Sequence, residues 1–222
     1  PSPSSHILAL AAGSSNSGYF GLPVGIALFG EDKLSLLVLC ILGFNLFENS
    51  LGFYITARGH HSPAESLTRV FKLPGLYAFC LGITLNVLGF SLSGSLNDLL
   101  QNMRGAYSIL GMMIIGLGVA DIKHFRVEPL FNLFVTLSKF LVWPLAGLAV
   151  LLLDANTLAL FGPQVRNIIF FMCALPAAAN TVAFAAELRA EPEKTAIAVL
   201  VISLLALLLV PLFNSWFAAY AL

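Results

Sequence analysis

Most residues able to do chemistry in this chain sit inside long apolar runs, where a polar group is costly unless something answers it. Two stretches stand out. One is Gly13-Ser14-Ser15-Asn16-Ser17-Gly18, followed by Gly21-Leu22-Pro23; the other is Leu175-Pro176-Ala177-Ala178-Ala179-Asn180-Thr181. Proline lacks the N–H a helix needs and clashes with the preceding turn, and a Gly/Ser cluster has little helix propensity. Each stretch is expected to break the helix that contains it. Unpaired backbone groups at membrane depth persist only where protein or a water-filled cavity satisfies them. A helix restarting at Ser17 or Thr181 turns N–H groups and its positive dipole end toward the midplane. Two such ends facing one another would attract an anion without burying a cation, and Asn16 and Asn180 would add amide donors and acceptors.

The two stretches correspond weakly. Asn16-Ser17-Gly18-Tyr19-Phe20 can be laid on Asn180-Thr181-Val182-Ala183-Phe184, and each is followed by an acidic-basic turn, Glu31-Asp32-Lys33 or Glu193-Lys194, and a Leu-rich segment. Gly/Pro-interrupted apolar segments in matching places of two halves point to a transporter site. The other reading is a pair of kinks that only shape packing.

Further polar residues interrupt the apolar runs. Asn45, Glu48 and Asn49 are spaced i, i+3, i+4 and so share a helix face; they read either as a proton or cation relay or as a hydrogen-bonded packing seam. Lys139 lies mid-segment, where it snorkels, pairs with Glu48 or neutralises an anionic substrate. Asn45, Glu48, Asn49 and Lys139 are therefore the candidate coupling residues. Asn86 and Asn132 read as interhelical hydrogen-bonding residues, and Trp143 as an ordinary core or interfacial aromatic. Cys40, Cys80 and Cys173 are far apart in apolar runs and form neither a metal-binding pattern nor a disulfide framework. The sequence holds no G-x-S-x-G, H-E-x-x-H, Walker A or C-x-x-C. No enzyme activity, metal or cofactor is expected, and the driving force would be a gradient, with H+ or Na+ as the coupling ion, or a partner.

The elements that must position these residues follow from composition. Apolar residues make up 59% of the 222 and charged residues 10%, against about 25% charged in a soluble domain, and mean hydropathy is +0.92. A formal charge of zero gives no electrostatic case for a nucleic-acid partner. The expected fold class is an all-α polytopic membrane protein. Its seven spanning segments lie near 5–29, 34–57, 73–90, 105–120, 129–153, 166–188 and 194–220. The loops after the second, fourth and sixth segments hold Arg58, Arg69, Lys72, Lys123, Arg126, Arg189 and Lys194, against Lys33, Arg104 and Arg166 on the other side. The positive-inside rule then makes the first group cytoplasmic, leaving the C-terminus outside. His60, His61 and His124 read as solvated loop residues. Ser62-Pro63-Ala64-Glu65 has the form of a capping box, with Leu67, Val70 and Phe71 on one face, as in an amphipathic helix at the membrane interface; a plain polar loop is the alternative.

Gly21-Leu22-Pro23-Val24-Gly25-Ile26-Ala27-Leu28-Phe29-Gly30-Glu31 resembles the G-L-P…A-L-F-G-E stretch of the auxin efflux carrier family. That family includes plant PIN carriers and bacterial malate- or malonate-type permeases. The run from Leu175 to Glu187 resembles its C-terminal signature, and Lys72-Leu73-Pro74 with Gly82-Ile83-Thr84-Leu85-Asn86 resembles the opening of its second half. The resemblance implies a ten-helix fold of two inverted five-helix repeats, related to bile-acid sodium symporters, in which two broken helices cross at the substrate site. It implies that 1–58 supplies the last two helices of the first repeat, 59–72 a cytoplasmic connection and 73–222 the second repeat. Together with the opening on Pro1 rather than Met, it implies a piece of a longer protein without the first three helices. The implied substrate-binding set is Asn16, Ser17, Gly18, Pro23, Pro176, Asn180 and Thr181, and the implied partners are a small organic anion, membrane lipid and a second copy in a homodimer. An organic-anion secondary transporter of elevator type, in a bacterial inner membrane, is the expected function. A channel or a non-transporting scaffold or sensor is the alternative.

Overall fold

The computed structural model describes residues 3–90, 94–120 and 127–220, and every regular element among them is helical. In chain order the α-helices are α1 (Pro3–Gly13), α2 (Leu22–Phe29), α3 (Leu34–Phe47), α4 (Phe53–Ala57), α5 (Pro63–Val70), α6 (Pro74–Val87), α7 (Ser95–Ala120), α8 (Pro129–Leu137), α9 (Trp143–Asn156), α10 (Pro163–Cys173), α11 (Asn180–Glu187) and α12 (Pro192–Tyr220). Three π-helical turns join consecutive helices: Ser17–Gly21 before α2, Glu48–Gly52 between α3 and α4, and Ser138–Val142 between α8 and α9.

Among the described residues, four helical runs are long and apolar enough to cross a bilayer: Glu31–Ala57, Ser95–Ala120, Pro129–Asn156 and Pro192–Ala219. A fifth crossing results if Pro63–Val70 and Pro74–Val87, which meet at a 50° bend, act as one span. The remaining two expected segments, α1–α2 and α10–α11, are each interrupted, so neither is a single long helix. The chain is an all-α polytopic membrane protein.

Boundaries differ most at α7, which starts at Ser95 rather than near Gly105. Leu96, Leu99, Leu100 and Met103 make an apolar stripe at helical spacing, which carries the helix through a stretch whose Asn97, Asp98, Gln101 and Asn102 look like a loop. Lys123 and Arg126, counted above toward the cytoplasmic side, and the loop residue His124 lie outside the described residues. At α5 the capping box is present: Glu65 N–H donates to Ser62 Oγ (3.3 Å) and Ser62 N–H to Glu65 Oε2 (2.9 Å). Val70 is buried while Leu67 and Phe71 are exposed, leaving an apolar edge available to a membrane interface.

Packing centres on α12 and the broken helices. One core joins Ile7, Leu10 and Ala11 of α1 with Phe53 of α4, Val182 and Ala185 of α11, and Ala198, Val199 and Ile202 of α12. A second joins Phe20, Leu37, Phe171 and Leu175 with Ala206 and Val210 further along α12. Alanines at these contacts let backbones approach, the usual basis of helix association in lipid. Edge-to-face pairs hold the outer halves of both interrupted helices: Phe29 of α2 on Phe171 (5.4 Å) and Phe184 of α11 on Phe53 (5.1 Å). The α9–α10 turn is closed by Asp154, which accepts from the Leu160 and Phe161 amides (2.9 and 3.3 Å) and from Arg166 (3.3 Å).

Candidate functional site

Helix α1 stops where Gly13 and the serines begin, and its last carbonyls need donors. The Ser14 amide closes back on Leu10 O (2.8 Å). Trp143 Nε1 donates to Ala12 O (2.8 Å), and Lys139 Nζ donates to Ser14 O (2.6 Å) and Ser15 Oγ (2.8 Å). A cation thus sits at the negative end of the α1 dipole. After the break Asn16 restarts the chain: its side-chain oxygen takes the Phe20 amide (3.2 Å) and its carbonyl takes the Gly21 amide (2.8 Å).

The second break runs from Ala174 to Ala179, and the two breaks touch. Asn16 N–H donates to Pro176 O at 2.8 Å, and Ser14 Oγ lies 3.0 Å from Thr181 Oγ1. Ala177, Ala178 and Ala179 are buried, and their small side chains permit that approach. At the start of α11, Asn180 Nδ2 donates to Glu48 Oε2 (3.2 Å) while Tyr19 OH donates to Asn180 Oδ1 (3.1 Å).

These groups surround a small cleft lined by Ser15, Asn16, Ser17, Gly18, Tyr19, Asn45, Glu48, Tyr107, Ala178, Ala179 and Asn180. Its volume is about 10 Å³, room for about one water molecule. The Tyr19 and Tyr107 rings, 4.3 Å apart between centroids, close one side. Glu48 and Lys139 are buried, at 2% and 0% exposure. Asn16 Nδ2 and Glu48 Oε1 are buried without a hydrogen-bond partner. Such orphan groups each cost about 1–3 kcal/mol and mark where a ligand or water is wanted.

Of the residues picked from sequence, Asn16, Ser17, Gly18, Asn45, Glu48 and Asn180 line this cleft. Pro176 contributes its carbonyl, and Thr181 meets Ser14 just behind. Pro23 is not brought to the crossing; it is exposed and lines a separate cleft with Glu31, Asn97 and Gln101. Asn49 leaves the face it was expected to share: its Nδ2 returns to Asn45 O (2.9 Å), and its side chain packs on Gly75 of α6. Asn49 lies inside the π turn that begins at Glu48, and only Asn45 and Glu48 of the three line the cleft.

Lys139 is buried, and its Nζ donates to the Ser14–Ser15 end of α1 without a direct ion pair to Glu48. Asn132 Nδ2 bonds Glu128 O of its own first turn, and Asn86 is exposed, so among the described residues neither forms the expected interhelical bond. Sequence reasoning missed Tyr19 and Tyr107 and took Trp143 for an ordinary aromatic. The only available signal for Tyr19 was its place inside the first broken stretch. All three π turns carry residues of the cluster, namely Ser17 and Gly18, Glu48, and Lys139.

No protein-family model matches the chain. It is 31% identical over 110 residues to an uncharacterized transporter of Methanothermobacter thermautotrophicus, covering 50% of this chain and 36% of that protein. It is 28% identical over 141 residues to an uncharacterized transporter of Methanocaldococcus jannaschii, covering 62% of this chain and 46% of that protein. The chain thus matches less than half the length of each of these curated relatives.

Proposed function

We propose that the chain belongs to a secondary transporter and carries its substrate-binding crossing, with a small organic anion as the substrate. The observation that carries this reading is the buried contact between two broken membrane helices, in which Asn16 N–H donates to Pro176 O. Interrupted helices meeting inside a bundle are the arrangement by which transporters offer backbone dipoles to a solute. Two archaeal relatives named as transporters support the general role, and the resemblance to auxin efflux carriers supports the organic-anion class.

In this reading the anion takes the place of the water-sized cleft, contacting the orphan Asn16 Nδ2 and the Asn180 amide group; the Thr181 and Val182 amides are already taken by Ala178 O and Ala179 O, so α11 acts through its dipole. The dipole of that eight-residue helix favours the negative charge. Because the cleft is too small for a carboxylate, Tyr19 and Tyr107 move apart to admit it. Glu48 touches Asn180, and a charged Glu48 would repel the anion, so anion and proton enter together. The carrier is thus a proton-coupled symporter rather than a channel.

The division implied by the resemblance, with 1–58 closing a first repeat, 59–72 connecting and 73–222 forming a second, fits this mechanism. The crossing would then move as a body against a scaffold, in an elevator-like cycle, with homodimers joined through scaffold helices. The orientation with the loops after the second, fourth and sixth segments in the cytoplasm belongs to the same proposal.

The test is uptake of labelled malate, malonate, an indole acid and a bile acid into proteoliposomes, comparing wild type with Asn180→Ala. Saturable uptake with counter-transport is expected for at least one acid, and its loss in the variant at equal reconstitution. Normal uptake by Asn180→Ala overturns the site.

A further inference from the structure

Lys139 is the one buried cation described in the crossing, and its surroundings are not those of a carboxylate partner. The ammonium rests on a backbone carbonyl, Ser14 O at 2.6 Å, and a hydroxyl, Ser15 Oγ at 2.8 Å. The Trp143 ring lies 5.4 Å away, within cation–π range. All of this stands at the C-terminal end of α1, where the helix dipole is negative. Neutral oxygens at a broken helix end, beside a dipole and away from a direct counter-ion, form a ligand set for a hard monovalent cation. The side chain reaches it because the π turn Ser138–Val142 holds Lys139 inside the bundle.

We propose that the Lys139 ammonium is a tethered substitute for a sodium ion. It fills a cation position made by Ser14 O and Ser15 Oγ, so the crossing assembles without Na+, and removing the side chain uncovers a site that Na+ can occupy. The same cation steadies the crossing indirectly, because Ser14 also meets Thr181 and Ser15 adjoins Asn16, whose amide holds Pro176. Glu48 and Cys173 are the titratable groups that face Lys139 from neighbouring elements. Glu48 stays on Asn180 and forms no ion pair with Lys139 within 4.0 Å. The position is a cation seat on α1, with the Glu48 carboxyl acting on it from beyond direct ion-pair distance.

The inference rests on the proposed function only in taking the crossing to be a binding site, and its test uses no transported solute. The thermal midpoint of the purified chain is measured in NaCl and in choline chloride at equal ionic strength, for wild type, Lys139→Ala and Lys139→Met. The wild type should melt at one temperature in both salts. Lys139→Ala, which leaves an open pocket on the two oxygens, should melt lower in choline chloride and rise saturably with NaCl. Lys139→Met fills the same volume without charge and should melt lower in both.

A Lys139→Ala protein indifferent to sodium overturns the proposal. So does a wild type that sodium stabilises. If Lys139→Ala gives no folded protein, Lys139→Ser decides: a midpoint that rises saturably with NaCl but not with choline chloride sustains the proposal, and one indifferent to sodium overturns it.

Discussion

The Asn16 amide donates to the Pro176 carbonyl across 2.8 Å, so each helix break supplies what the other lacks. A chain interrupted in lipid must find partners for freed backbone groups. Here the partner of one break is in part the other break. Trp143 and Lys139 answer the carbonyls at the end of α1, and Asn16 answers the amides at the start of the next turn.

Trp143→Phe removes the indole N–H from Ala12 O while keeping an aromatic ring. A buried carbonyl left without its donor costs about 1–3 kcal/mol. The variant should show a lowered thermal midpoint with unchanged helix content by circular dichroism.

Gly18→Ala places a methyl group about 2.6 Å from the Tyr107 hydroxyl and also close to its ring. Overpacking of this kind costs about 1–3 kcal/mol, and here it should push Tyr107 off Tyr19. The double variant Gly18→Ala/Tyr107→Ala should recover much of the loss, giving a coupling energy of about 0.5–3 kcal/mol in a thermal or denaturant cycle. Additive effects would place Tyr107 away from Gly18.

How much of this was legible in the sequence depends on how local each cause is. The breaks at Gly13–Gly18 and Pro176 were legible because Gly and Pro act on their own backbone. The Ser62–Glu65 box was legible for the same reason. Glu48 and Lys139 were visible as polar residues in apolar segments, but their partners were not, because those come from helices distant in sequence. The π turns left no readable trace: an extra residue in one turn has no side-chain signature. Ordinary helical spacing therefore puts Asn49 on the face of Asn45 and Glu48, whereas the structure leaves it out of the cleft. Tyr19, Tyr107 and Trp143 look like any other membrane aromatics until the crossing is built.

Ser62→Ala removes the oxygen that takes the Glu65 amide, and N-cap losses of this type cost about 1 kcal/mol of helix stability. Hydrogen exchange over 63–66 should quicken while the core of α12 is unaffected. The Ser62 amide, helped by its hydroxyl, also holds the Glu65 carboxyl below its usual range. Its folded pKa is therefore lower than its unfolded one. The contribution is present above the unfolded value and is lost as pH falls through the folded value. Exchange over 63–66 in the wild type should approach that of Ser62→Ala in acid, after correction for intrinsic exchange.

Asp154→Ala frees the Leu160 and Phe161 amides and leaves Arg166, whose side chain is 13% exposed, without its carboxylate. The thermal midpoint should fall. Anion affinity should not, because no residue of this turn lines the cleft and α10 runs between the turn and the break. A changed affinity would mean that α10 transmits the state of the turn to the crossing.

The central claim is that a carboxylate binds where the two breaks meet. Calorimetric titration of the purified chain with the acid that wild type transports tests it most directly. Wild type and Pro23→Ala should bind with similar, saturable affinity, since Pro23 lies outside the crossing. Asn16→Ala and Asn180→Ala should each weaken binding at least about tenfold, or about 1.4 kcal/mol. Wild-type affinity in both asparagine variants would contradict the account.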